Sequence, residues 1–151
     1  MRVKVLIIDV DGTLTDGSVY MGDNGEVMKR FNIKDGYAIH NILPEKGIIP
    51  VILTGRMSKI VENRCKELGI NELYQGCDNK LQKLHEISQK MNIPLDKFGY
   101  IGDDLNDLEC MKVVGYAACP KDAVEEVKRV CSYVANACGG CGAVREIIEL
   151  L

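Results

Sequence analysis

No basic run occurs anywhere in the 151 residues, and the net charge is −3. Gripping nucleic acid through its phosphates takes clustered lysine and arginine, so nucleic acid is a poor partner for this chain. No apolar run approaches the ~20 residues that cross a bilayer, which speaks against a membrane partner. The first apolar run, Val5-Leu6-Ile7-Ile8, reads as a core strand rather than a signal peptide, so the expected location is the cytoplasm. Repeats, low-complexity tracts and linkers are missing too, and the length suits a single domain over residues 1–151. Cysteine is not scarce, with seven residues, but a reducing compartment argues against a disulfide framework. Cys138-Gly139-Gly140-Cys141, with Cys131 nearby, has no second Cys-x-x-Cys to complete a zinc site. It reads as a glycine-rich turn that happens to hold thiols.

What is present is a repeated alternation of short apolar runs and amphipathic stretches. Val5–Ile8, 48–53, 73–74, 98–101, 116–118 and 133–134 read as strands. Residues 35–46, 58–68, 80–91, 108–113, 123–131 and 143–151 read as helices. Two further short segments, 18–21 and 27–31, flank Gly22-Asp23-Asn24-Gly25 and predict a β-hairpin. This alternation specifies a layered α/β fold with a mostly parallel sheet. In such sheets ligands bind beyond the carboxyl ends of the strands. Polar clusters stand at three of those ends: Asp9/Asp11, Thr54-Gly55, and Asp103/Asp104/Asp107.

The pair Asp9 and Asp11, two residues apart at a strand end, can point towards one spot. Like charges so close need a proton or a cation between them. Converging carboxylates suit Mg²⁺, a hard ion that prefers oxygen. Thr54 and the Gly55 amide can bond phosphate oxygens, and Lys80, opening a helix, can neutralise phosphate charge. Anion, cation and nucleophilic carboxylate together point to phosphoryl transfer.

Asp9–Thr13 (DVDGT), Leu53–Arg56 (LTGR), Lys80 and Gly102–Asp107 (GDDLND) resemble the four ordered motifs of the haloacid dehalogenase superfamily of phosphatases. Residues 9–39, 73–76 and 142–148 further resemble the subfamily acting on 3-deoxy-D-manno-octulosonate 8-phosphate and its sialic-acid-type relatives. The resemblance implies a Rossmann-like core with helices on both faces and no cap domain. It implies Asp9 as nucleophile, Asp11 as general acid and base, and Thr54 and Lys80 as holders of the phosphoryl group. Gly55, Arg56 and Asn106 join Thr54 and Lys80 as expected substrate contacts. The expected Mg²⁺ ligands are Asp9, the Asp11 backbone carbonyl and Asp103, with Asp104 and Asp107 supporting the metal or its waters.

Three departures bear on substrate. Thr13 stands where a valine is usual in the subfamily, Cys141 stands where an arginine is expected, and the longer tail of many relatives does not follow Leu151. With no cap, a neighbouring chain is expected to wall off each pocket. The 18–31 hairpin, with Val19, Met21, Val27 and Phe31 on one stripe, would drive assembly into a tetramer. Arg30, Lys34, Arg56 and Arg145 are candidates to meet the carboxylate of a small acidic sugar phosphate. Rival readings are a sialic-acid-type 9-phosphate as substrate, a regulatory domain of phosphatase descent, and a phospho-receiver domain. In a receiver, however, the acceptor aspartate would end a middle strand, where this chain has Leu53-Thr54.

Overall fold

In the computed structural model, which describes residues 2–151, β1 (Val5–Ile8) runs down the middle of a six-stranded parallel sheet. β4 (Ile49–Leu53) pairs on one side of it and β6 (Phe98–Ile101) on the other. β5 (Glu72–Tyr74) extends the β4 side. β7 (Tyr116–Cys119) and β8 (Tyr133–Val134) extend the β6 side. The chain thus leaves β1 towards one edge and later returns to pair on its far side, which opens a crevice at the carboxyl ends of β1, β4 and β6.

The continuous apolar run of β1 follows from burial on both faces. Leu6 and Ile8 point into one layer, with Ile52, Ile39, Leu43, Val61, Ile147 and Ile148. Val5 and Ile7 point into the other, with Val51, Leu53, Leu84, Phe98, Met111 and Val127. The first layer is covered by a helix over 33–46 (α1), by α2 (Lys59–Leu68) and by α6 (Ala143–Leu150). The second is covered by α3 (Lys80–Met91), α4 (Leu105–Val113) and α5 (Glu125–Val130).

Several expected boundaries move, for identifiable reasons. α1 begins two residues before Asp35, because Asn32 caps it by accepting from the amides of Lys34 and Asp35. α4 begins at Leu105 rather than 108, since Asp104 and Asp107 form a reciprocal capping box. α5 is shorter than expected and α2 starts one residue after its cap, Ser58. The hairpin strands are β2 (Tyr20–Gly22) and β3 (Gly25–Met28), shorter than the segments read from sequence. Val19, Met21 and Val27 are exposed, as the stripe requires, but Phe31 is not. It packs on the core and lies under the Arg64 guanidinium, 5.5 Å from its ring centroid. Among the described residues, no helix is long and apolar enough to cross a membrane.

Asp35 is buried at the start of α6, where its Oδ1 accepts the Arg145 amide at 2.9 Å and its Oδ2 has no partner among the described residues. Burial pushes its carboxyl up to about 6, against the backbone hydrogen bonds from Arg145 and Gly142. A raised carboxyl favours the folded state when protonated. Its contribution is therefore full below pH ~4 and lost as pH rises through about 6, a swing of roughly 2–3 kcal/mol. In Asp35→Asn that swing disappears. Denaturant titrations at pH 4.5 and 7.5 should show the variant gaining on the wild type by about that amount at the higher pH.

Candidate active site

The backbone turns sharply after β1. Val10–Leu14 forms one wide turn, closed by the Thr15 amide on the Val10 carbonyl at 3.1 Å. The ladder to β6 carries on one residue beyond β1, with the Asp9 amide on the Ile101 carbonyl at 3.0 Å. Gly12, at φ +90°, makes the turn possible: a Cβ there would stand 2.0 Å from Asp103 Oδ2. Thr13 Oγ1 donates to the other Asp103 oxygen at 3.1 Å. The loops after β1 and β6 are thereby locked together.

Asp9, Asp11, Thr54, Gly55, Arg56, Asp104 and Asn106 line one small cleft of about 150 Å³. The strand ends named from sequence thus converge on a single site. Lys80 and Asp103 stand behind Asp9 rather than on the cleft wall. Lys80 is buried, its Nζ 2.8 Å from Asp9 Oδ1 and 2.7 Å from Asp107 Oδ1. Of the four cations expected near an acidic sugar, only Arg56 lines this cleft. Arg145 instead covers Tyr37 and pairs with Glu149 at 2.5 Å. Arg30 reaches Asp16 at 3.5 Å, and Lys34 lies beside Ile33, Tyr37 and Arg145.

Asp104 and Asp107, equivalent in the sequence, differ sharply in the fold. Asp104 is an exposed helix cap. Asp107 is completely buried, and four donors satisfy it. Its Oδ1 accepts from Lys80 and from Tyr100 Oη at 2.7 Å, its Oδ2 from the Asp103 and Asp104 amides at 3.1 and 3.3 Å. A carboxylate with its lone pairs so engaged orients neighbours better than it ligates an ion. Gly102 leaves room for it, since a Cβ there would fall 2.6 Å from the Asp107 carboxyl carbon.

Carboxylate oxygens of Asp9, Asp103 and Asp107 lie within 4.8 Å of one another, against the single ammonium of Lys80. Two units of negative charge are left unmatched in a dry site. Burial, reinforced by Asp107, pushes Asp9 well above the usual carboxylate range despite Lys80. Burial likewise pushes Asp103 up to about 6, opposed by hydrogen bonds with Asp9 and Thr13. A divalent, oxygen-seeking cation held by Asp9 and Asp103 fits this charge imbalance, with Asp107 adding charge rather than a ligand.

Three features of the site have no counterpart in the sequence reading. Lys29, just past β3, places Nζ 2.5 Å from Asp11 Oδ1 and 2.9 Å from Glu26 Oε2. Tyr100 reaches Asp107 from within β6. The Cys138–Gly142 turn presses on the loop after β1: the Gly140 amide donates to the Thr13 carbonyl at 3.2 Å. A Cβ on Gly139 would stand 2.0 Å from the Gly12 carbonyl oxygen. Adjacent glycines were the available signal for that contact. Among the described residues the cluster able to hold a metal is Asp9, Asp103 and Asp107, with no thiol in it, and all seven cysteines are free.

Residues 71–142 match the family model for haloacid dehalogenase-like hydrolases. The chain is 45% identical over 150 residues to 3-deoxy-D-manno-octulosonate 8-phosphate phosphatase KdsC of Escherichia coli K12, covering 99% of this chain and 79% of that one. The crystal structure of the phosphatase of that name from Moraxella catarrhalis, in complex with magnesium ion, phosphate ion and KDO, superposes with a TM-score of 0.93. The two are 40% identical over 98% of this chain and 84% of the other. The cobalt-bound deoxy-D-mannose-octulosonate 8-phosphate phosphatase of Haemophilus influenzae gives a TM-score of 0.94 at 34% identity, over 99% and 86% of the two chains.

Proposed function

Because the chain belongs to the 3-deoxy-D-manno-octulosonate 8-phosphate phosphatase family of haloacid dehalogenase-like hydrolases, we propose that it hydrolyses that sugar-acid phosphate through an aspartyl-phosphate intermediate. The observation that carries this reading is the convergence of Asp9, Asp11 and Thr54 on one cleft, with Lys80 pairing Asp9 from behind. A regulatory domain of phosphatase descent would have no need to keep a buried lysine between two buried carboxylates.

In the first step an Asp9 oxygen attacks phosphorus and the ester P–O bond breaks. Asp11 gives its proton to the leaving sugar oxygen. In the second step water attacks the aspartyl phosphate, its proton passes to Asp11, and the Asp9 carboxylate departs. Lys80, fixed by Asp107, keeps the attacking carboxylate aimed, while Thr54 and the Gly55 amide hold phosphoryl oxygens. Arg56 and Asn106 reach the substrate from the rim. Asp9, the Asp11 carbonyl and Asp103 would hold Mg²⁺, which when bound neutralises charge on the transferring group.

The test is phosphate release from a panel of sugar phosphates with Mg²⁺, before and after exhaustive chelation. The highest kcat/KM is expected for 3-deoxy-D-manno-octulosonate 8-phosphate, with activity lost on chelation and restored by Mg²⁺. A preference for a sialic-acid-type 9-phosphate would reassign the substrate, and absence of turnover on every ester would reject the reading.

The free cysteines suit a reducing cytoplasm, and the hairpin suits assembly. Met21, Val27 and Met28 are each more than half exposed on a two-stranded ribbon that is marginal alone. A homotetramer in which hairpins wall off neighbouring clefts would cover them and exclude water from the chemistry. Since Phe31 belongs to the core, the informative variant is Met21→Asp/Val27→Asp. Light scattering should show a folded monomer, with kcat/KM on the sugar-acid phosphate down by at least ~10-fold and a small aryl ester still cleaved. A monomer with full efficiency on the sugar acid would rule out shared sites.

A further inference from the structure

Lys29 is joined to the hairpin by sequence and to the active site by charge. Its side chain is 1% exposed, yet both of its partners are carboxylates: Asp11 Oδ1 at 2.5 Å and Glu26 Oε2 at 2.9 Å. Glu26 is itself held, by Ser58 Oγ at 2.8 Å and the Arg56 guanidinium at 3.4 Å. Ser58 caps α2 and takes a further anchor from Gln75, whose Oε1 accepts the Ser58 amide at 2.9 Å. A chain of contacts therefore runs from a rigid helix start through Glu26 and Lys29 to one oxygen of Asp11. Among the described residues no donor engages the other Asp11 oxygen, and Asp11 lines the cleft.

We propose that Lys29 is a positioning residue for Asp11: its ammonium pins Oδ1 so that Oδ2 is presented to the leaving group and to water. The proposal rests on the reading of Asp11 as general acid and base. A carboxylate free to rotate meets the leaving oxygen only part of the time, and proton transfer demands hydrogen-bond distance. The hairpin thus serves the chemistry of its own subunit, whatever it does for a neighbour. The Lys29 ammonium is covered between two carboxylates, a placement whose desolvation cost a mere surface tether, worth little in itself, would not require.

Leaving-group dependence separates positioning from general loosening. Nitrophenolate departs without a proton, whereas a sugar alkoxide requires one. Wild type, Lys29→Met, Lys29→Arg, Glu26→Gln and Asp11→Asn are compared with Mg²⁺ on 4-nitrophenyl phosphate and on the preferred sugar phosphate. For Lys29→Met, kcat/KM should fall ~30–100-fold on the sugar ester and less than ~3-fold on the aryl ester, a share of the ~10²–10⁴ that general acid–base catalysis supplies. A burst of nitrophenolate should precede slow turnover, since the proton-accepting second step is impaired as well. Lys29→Arg should recover at least ~10-fold on the sugar ester. Glu26→Gln should show the same discrimination in milder form, and it carries the test if Lys29→Met does not fold. Equal losses on both esters, or none on the sugar ester, overturn the proposal while Asp11→Asn discriminates strongly. If Asp11→Asn itself fails to discriminate, the acid–base reading of Asp11 falls, and the role of Lys29 with it.

Discussion

Asp9→Asn should lower phosphatase turnover by at least ~10⁴-fold, the scale on which loss of a nucleophile is felt, while the protein stays folded. The amide cannot form the aspartyl phosphate, so no tuning elsewhere can restore the first step. Stability should hold because burial already works against the Asp9 charge and pushes its carboxyl well up. Lys80 keeps Asp107 as a partner at 2.7 Å. Initial rates of phosphate release and thermal unfolding at pH 7 check both halves. A rate within tenfold of wild type, free of contaminating enzyme, would remove Asp9 from the mechanism.

Lys80→Met should damage both function and fold. Burial opposes the Lys80 charge, but Asp9 and Asp107 more than offset it and hold the ammonium firmly protonated. With the ammonium gone, two buried carboxylates face each other uncompensated, as when one member of a buried ion pair is deleted. That costs about 3–5 kcal/mol. For a chain of this size the melting temperature should fall by roughly 6–20 °C. Adding Asp107→Asn should recover part of the loss, because one of the stranded charges is then absent. Lowering the pH from 7 to 5 should narrow the gap too, since protonation relieves Asp9, whose carboxyl burial already pushes well up. Lys80→Met unfolding at the wild-type temperature across that range would show that the pair does not anchor the site.

The strand ends were legible because each polar cluster interrupts an apolar run at the point where a parallel strand must stop. The two-layer core was legible for the same reason, since a strand buried on both faces has no alternation to hide. The roles of Asp104 and Asp107 were not legible. Which of two neighbouring carboxylates caps a helix and which is buried depends on Lys80 and Tyr100, brought from other elements. Lys29 is not legible in the sequence, because the hairpin's apolar stripe carries no sign of it and nothing local says that one polar neighbour turns back towards Asp11. Alternation alone puts Phe31 on that stripe, whereas the strand ends at Met28 and the chain beyond it dives to the core.

The contact between Gly139-Gly140 and the Gly12–Asp16 loop also sets a timetable for biosynthesis. Asp9 leaves the ribosome 130 residues before Gly139, the start of the glycine pair that braces its loop. At ~5–20 residues per second, the nascent chain spends roughly ten seconds with Asp9 made but the loop beyond it unbraced. Because the brace joins distant parts of the sequence, its closure entropy is met only when the rest of the sheet is in place. A nascent or interrupted chain lacking the turn would carry every acidic residue of the site and still not hold them in register. Bracing of the loop after β1 is in this way tied to synthesis of the Gly139-Gly140 turn.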